Sequence, residues 1–376
     1  MKKRIAMILL ALLFASACAQ SDDPTGVPIV EDALIHRTAH IRAVGDVMAH
    51  QHQLDLALRA DGSYDFSEQM DWVKPSLRAA DYTIANLETV IMPNRAYTGY
   101  PTFNTPPELL DTLRDAGVDF LTLANNHMLD GGFDGLVSTV DAVEAAGFDH
   151  AGAYRTPEEA GIPTIIEING IRVGFLCYTE TANANEKSNR RAREYGLSLT
   201  RYHNCEREIE ALRAEGVDFV ICLMHWGTEY KREPGSTERE MAKKLAAAGA
   251  DMIIGSHPHV VQGIETITVG ENESSRTAVV AWSLGNFLSN MYLQYTYSGI
   301  ILDFTLEKIG SGPCMVRDVG YVPVFVWNRE KCIRLLCPGR YTARLMGMRP
   351  EEYEKMRAAE AEIVDLIGEA YPRLAE

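Results

Sequence analysis

The sequence contains no G-x-S-x-G elbow, no G-x-x-x-x-G-K-[ST] loop and no H-E-x-x-H pair. Serine-hydrolase, P-loop and zincin chemistries therefore lack their starting motif. Its seven cysteines show none of the short paired spacings of a zinc knuckle. Basic charge is scarce: 36 Lys and Arg stand against 52 Asp and Glu, a formal charge of -16. Three of those cations, Lys2, Lys3 and Arg4, lie in the first 17 residues, which hold no acid, so the rest of the chain carries -16 - 3 = -19. Nucleic acid is disfavoured as a partner. At 376 residues with 46% hydrophobic content, the chain can bury a large core, as one large α/β domain or two smaller ones.

Residues 1–17 read as a signal peptide. MKKR is a basic n-region, IAMILLALLF an apolar core too short to span a bilayer, and ASAC supplies small residues before a cysteine. Cleavage after Ala17 would leave Cys18 at the N-terminus, available for lipidation, although Ala15 stands where lipoprotein signals more often have leucine; the alternative is ordinary secretory cleavage. Both place the protein outside the cytoplasm, the first as a membrane-anchored lipoprotein. Residues 18–38 are polar with no periodicity and read as a flexible tether. The folded domain is expected over 39–330, followed by a C-terminal extension, 331–376, that carries an amphipathic helix.

One unit recurs in the domain. DTLRDAGVDFLTLANNH, IEALRAEGVDFVICLMHWG and AKKLAAAGADMIIGSHPH each run from an amphipathic helix through a glycine and an aspartate into a short apolar strand. The glycine suits a helix C-cap, and the apolar residues suit a strand buried on both faces. These strands end at Asn126 with His127, at His225, and at His257 with His259. HIRAVGD and DYTIANLE end apolar runs at Asp46 and Glu88 in the same way. Open α/β sheets place their sites beyond the carboxyl ends of strands, so these five ends can converge on one crevice. Imidazole, carboxylate and amide oxygen suit zinc, manganese or iron, and such a set can hold two divalent ions side by side. In GSHPH the two imidazoles can reach different ions, with Pro258 stiffening the backbone between them.

The motifs GDVM (45–48), ANLE (85–88), NNHMLDGG (125–132), HWGTEY (225–230), GSHPHVVQ (255–262) and SLGNF (283–287), in this order, resemble the CapA family of capsule and poly-gamma-glutamate synthesis proteins. That family is related in fold to calcineurin-like metallophosphatases. The resemblance implies a two-sheet αββα sandwich, a dinuclear site for manganese, zinc or iron, and a metal-dependent hydrolase or transferase of phosphoester or gamma-glutamyl amide type. It also implies an anionic surface polymer or its precursor as partner, within a capsule synthesis complex. The alternative is a non-catalytic polymer-binding or assembly subunit that keeps the shape. By position, Asp46 and His259 would bind the first metal, Glu88 would bridge both, Asn126, His225 and His257 would bind the second, and His127 would protonate a leaving group. The phosphatase pattern Asp-x-His requires a histidine at position 48, where this chain has Met48. His50 either stands in as the ligand or is a loop histidine beside His52.

Other features leave two readings each. Asp130 either orients His127 or caps the helix beginning near Phe133. Asn286 contacts substrate or locks a turn. Arg190 and Arg191, in NEKSNRRAREYG, belong either to a solvated loop or to a patch meeting an anionic polymer. Cys177 and Cys222 sit in apolar runs as buried thiols, and Cys332 and Cys337 could pair outside the cytoplasm. PTIIEINGIRVGFLCY reads as a hairpin turning at Asn169 and Gly170, with further strands near 276–282, 297–308 and 319–327.

Overall fold

The computed structural model describes residues 35–375 apart from 202, 273–274 and 340–346. The signal peptide, Cys18 and most of the tether lie outside the described residues. Among those described, no helix is long and apolar enough to cross a membrane.

The strands in chain order are β1 (His36–Val47), β2 (Tyr82–Leu87), β3 (Phe120–Thr122), β4 (Asp149–Ala151), β5 (Thr164–Ile168), β6 (Ile171–Thr179), β7 (Phe219–His225), β8 (Met252–Ser256), β9 (Ile264–Val269), β10 (Arg276–Ala281), β11 (Asn286–Leu288), β12 (Ser298–Ile309), β13 (Met315–Arg329) and β14 (Cys332–Leu336). The first sheet has the order β14-β13-β12-β1-β2-β3-β4, with β11 also paired to β1. The second has the order β5-β6-β7-β8-β10-β9. In each sheet a parallel centre carries antiparallel strands at its margin. The first sheet runs beyond both ends of the span 39–330, because β1 starts at His36 and β14 pairs with β13 from Phe325↔Leu336 to Arg329↔Cys332.

Side-chain alternation along the strands makes the layers. In β7, Phe219, Ile221 and Leu223 point into a core shared with Ile41, Ile84, Phe120 and Phe304 of the first sheet. Val220, Cys222 and Met224 point the other way, against Ile209, Leu212 and Leu245 of the helices Cys205–Ala214 and Ser236–Ala248. Leu109, Leu113, Leu136 and Val140 of helices Glu108–Ala116 and Gly132–Ala145 cover the outer face of the first sheet. The result is the two-sheet αββα sandwich that the resemblance implied.

The recurring glycines behave as read: Gly117, Gly216 and Gly249 have φ of 97°, 73° and 125° and end their helices before β3, β7 and β8. The sequence does not reveal that the three units are divided between the sheets, β3 in the first and β7 and β8 in the second. Their polar ends consequently face each other across the mouth of the sandwich. The hairpin β5–β6 turns at Asn169 and Gly170, both with positive φ, and the strands expected near 276, 297 and 319 are β10, β12 and β13. Cys177 and Cys222 are buried. No disulfide joins the six described cysteines. Cys332 opens β14 and Cys337 follows its last residue, about 16 Å away for an extended segment of that length, well beyond bridging reach.

Candidate metal centre

Asp46 lies near the end of β1, at a shift in the β1–β2 register between Val44 and Asp46, and its backbone N–H donates to Gly285 O at 3.1 Å. Its carboxylate is fully buried. Oδ1 accepts from Asn86 Nδ2 at 2.8 Å, and Oδ2 lies 3.0 Å from His259 Nδ1. Glu88 follows β2 immediately and is also fully buried. Neither of its carboxylate oxygens has a hydrogen-bond partner among the described residues. Oε1 stands 3.6 Å from His225 Nε2 and 3.8 Å from His259 Nε2. These separations are long for hydrogen bonds but close to the roughly 3.4 Å expected between two donors on one tetrahedral ion with bonds of about 2.1 Å.

His225, the last residue of β7, is fixed on its far side, where Nδ1 meets Ser256 Oγ at 2.9 Å and Asn86 Nδ2 at 3.3 Å. Its Nε2 faces the cluster and lies 2.9 Å from Asn126 Oδ1. Asn126 is itself held by donation from Nδ2 to Asn183 Oδ1 at 3.2 Å. His257 and His259 both adopt positive φ, 97° and 58°, a conformation that side-chain-bearing residues rarely keep without a tertiary reason. This turn sets their rings 6.0 Å apart, with His257 4.7 Å from the ring of His225. His257 Nδ1 is buried without a partner.

Among the described residues, three groups of side chains could each hold an ion, their ligand atoms lying within 4.8 Å of one another: Asp46 with Glu88 and His259, Glu88 with His225 and His257, and Glu229 with His257 and His259. Glu88 is common to the first two. The buried carboxylates of Asp46 and Glu88 with the buried imidazoles of His225, His257 and His259 fit divalent cations, since an orphaned buried carboxylate is otherwise costly. Burial, and then the neighbouring charge of Asp46, holds the Glu88 carboxyl well above the usual carboxylate range. Burial and the neighbouring imidazoles hold His225 well below the ordinary histidine value and His257 down to about 4. Both imidazoles are therefore neutral, as metal ligands must be, at neutral pH.

Beside the cluster, His127 is 6% exposed and its Nδ1 lies 2.7 Å from Asp130 Oδ2. The same Asp130 oxygen accepts from the backbone N–H of Phe103 at 2.7 Å, and no side chain caps the helix Gly132–Ala145. Asp130 thus orients His127, and the capping alternative falls away. The Phe103 ring meets His127 edge-on at 4.7 Å.

The model of the family described as "Bacterial capsule synthesis protein PGA_cap" matches residues 40–291. The chain belongs to this family. It is 28% identical over 275 residues to the capsule biosynthesis protein CapA of Bacillus anthracis, an alignment covering 71% of this chain and 64% of that one. It is 25% identical over 321 residues to the PGA biosynthesis protein CapA of Bacillus subtilis, covering 83% and 78%. Among solved structures it is similar to the NAD nucleotidase of Haemophilus influenzae, with 13% identity, a TM-score of 0.46, and coverage of 89% of this chain and 64% of that one.

In this PGA_cap chain the remaining candidate residues occupy different surroundings. His50 caps the helix Gln51–Ala57 and lies outside the three ion-holding groups. Its Nδ1 accepts from the backbone N–H of Asn290 at 3.3 Å, its ring meets Phe103 edge-on at 5.2 Å, and burial lowers its pKa to about 4. Met48 is buried. Asn286 is fully buried, pairs in register with Asp46, and lies between His259 Nδ1 at 3.1 Å and Thr296 O at 2.8 Å. It positions an imidazole and has no surface to offer a substrate. Arg190 pairs with Glu194, and Arg191 lies over the Phe133 ring at 4.1 Å and beside Asp134 at 3.8 Å. None of these partners belongs to the cluster. Asn86, Ser256 and Glu229 went unread in the sequence. Asn86 and Ser256 look like ordinary strand residues there, but Glu229 could have been noticed, since it lies four residues beyond His225 in the HWGTEY motif.

Proposed function

We propose that this chain is a lipid-anchored, extracytoplasmic, dinuclear metal-dependent hydrolase or transferase acting in surface-polymer metabolism, on a phosphoester or a gamma-glutamyl amide. One observation carries the metal-dependent part. Glu88 is a fully buried carboxylate without a hydrogen bond, ringed by Asp46, His225, His257 and His259. The polymer part is supported by membership of the capsule synthesis family and by the names of its CapA relatives. An anionic polymer or its precursor is the proposed substrate, within a capsule synthesis complex, and the ASAC segment before Ala19 supports the anchor.

Asp46 and His259 would hold one ion, His225, His257 and Asn126 the other, and Glu88 both. Divalent ions held there would supply Lewis acidity and a more acidic water. The chain's own residues supply the remainder. Asp130 accepts from His127 Nδ1 and so leaves Nε2 as the nitrogen that gives or takes a proton at a leaving group. Phe103 limits water on the flank of that imidazole and fixes Asp130 through its backbone N–H. Asn86 and Ser256 aim His225, and Asn286 aims His259.

The test is metal analysis of the purified protein together with a panel of phosphoesters and poly-gamma-glutamate. Wild type should carry about two ions per chain and turn over one member of the panel. The double variant His257→Ala/His259→Ala should lose tight metal binding and turnover together. Unchanged metal content in that variant would sink the centre; metal without turnover of any substrate, and intact polymer assembly in cells producing the variant, would favour the non-catalytic assembly subunit.

A further inference from the structure

Glu229 stands apart from the other five members of the cluster because it is exposed to solvent. It is nonetheless not free to wander. The backbone N–H of Trp226 donates to Ser256 O at 3.1 Å and that of Tyr230 to Pro258 O at 2.8 Å, so the loop 226–230 is fastened at both ends to the His-Pro-His turn. Gln262 Nε2 donates to Lys231 O at 2.8 Å just beyond it. These ties hold the Glu229 carboxylate within 4.8 Å of the ligand nitrogens of His257 and His259. An independent observation points to a ligand at the same place: His257 is 9% exposed, and its Nδ1 is buried with no hydrogen-bond partner.

Donor supply gives the carboxylate a purpose. The Asp46 side of the centre has Asp46, Glu88 and His259, whereas the His225 side has Glu88, His225, His257 and the amide oxygen of Asn126. The side chain that follows Asp46 by two residues is the buried thioether of Met48, a poor partner for the hard divalent ions that carboxylates attract. We propose that Glu229 is itself a metal ligand, entering from the solvent side with His257 and His259 and making up the donor that Met48 does not supply. The inference rests on the metal-centre reading of the cluster and adds to it a residue outside the buried set.

The experiment is a Mn²⁺ titration of the full-length protein, read by electron paramagnetic resonance and by equilibrium dialysis, with thermal melts of the metal-free forms to check folding. Wild type should bind two ions. Glu229→Gln should keep one ion at wild-type affinity and bind the other about tenfold or more weakly. Glu229→His, which removes the negative charge but keeps a ligand atom, should recover most of the loss. Wild-type binding by Glu229→Gln would overturn the assignment while leaving the centre intact. Equal weakening in Glu229→Gln and Glu229→His would also overturn it, because the carboxylate would then act through its charge alone. A wild type that binds no Mn²⁺ would remove the assignment together with the centre.

Discussion

Glu88 and His127 lie in neighbouring loops but differ in what surrounds them. The Glu88 carboxylate has no hydrogen bond among the described residues and lies amid ligand-type side chains, whereas His127 has its own carboxylate partner. A role in proton transfer can therefore be separated from a role in binding ions. His127→Ala should leave metal content near wild type and lower turnover by about a hundredfold to ten-thousandfold, the range for losing a positioned proton donor. Glu88→Ala should lower metal content and turnover together. Metal analysis and rates on the same preparations decide it, and equal metal loss in both variants would make His127 a ligand. Residue types alone made Asp46, Glu88, Asn126, His225, His257 and His259 legible in the sequence, because each closes an apolar run. The supports were not legible: Asn86 and Ser256 have no distinguishing pattern, and their role arises only where β2, β7 and β8 meet.

The meeting of strands also sets constraints that a motif does not announce. Gly255 of GSHPH lies in β8, and a Cβ there would stand 1.8 Å from Trp282 O and 2.6 Å from Trp226 Nε1. The Trp226 indole donates to that same Trp282 carbonyl at 3.1 Å, so the glycine lets β8, β10 and the end of β7 close on one another. Gly255→Ala should cost more than about 3 kcal/mol by overpacking, and should disturb metal binding because His257 follows two residues later. Gly263→Ala is the control, since a Cβ there meets nothing within 4 Å. Urea midpoints of the two variants check the expectation, and similar midpoints would contradict it. The helix–glycine–strand units were readable because a C-cap glycine and a buried strand each leave a local trace. The positive φ of His257 and His259 left none, since nothing in H-P-H itself asks for it.

At the scale of the whole molecule, ion binding is coupled to protons and to folding. In the metal-free protein His225 and His257 have depressed pKa values, so the folded chain binds fewer protons than the unfolded one below about pH 6.5. Their contribution to stability is present above that pH and is lost as pH falls toward about 4. Glu88 acts in the opposite sense: its raised pKa favours the folded state at low pH, and that contribution is lost as pH rises toward the folded value. A divalent cation would compete with protons at Glu88, whose carboxyl burial holds above the usual carboxylate range, more than at the two imidazoles, which burial keeps neutral. Mn²⁺ at a hundred times its pH 7.5 Kd stabilises the native state by about 2.7 kcal/mol per site at that pH, and the same concentration should raise Tm less at pH 5.5, where protons compete for the ligands. Equal rises at the two pH values, measured by calorimetry, would contradict the linkage. The same scale includes attachment to the cell. Cys18→Ser should release the protein from membranes into the soluble extracytoplasmic fraction, as cell fractionation would show; a wild type already soluble there would indicate ordinary secretion instead.

The sequence by itself determined the helix–glycine–strand repeat, the family motifs and the identity of the buried ligand-type residues. Each depends on chemistry written within a few consecutive residues: hydrophobic periodicity, a C-cap glycine, an imidazole or carboxylate at a strand end. The tertiary structure decided how the strands were shared between two sheets, and therefore which ends face each other. It withdrew Asn286 into the core behind His259, gave Arg190 and Arg191 partners outside the cluster, kept Cys332 and Cys337 apart along β14, and brought Glu229 beside the His-Pro-His turn. Contacts of this kind join residues tens to hundreds of positions apart, as between Asp46 and His259, and are fixed only when the two sheets pack.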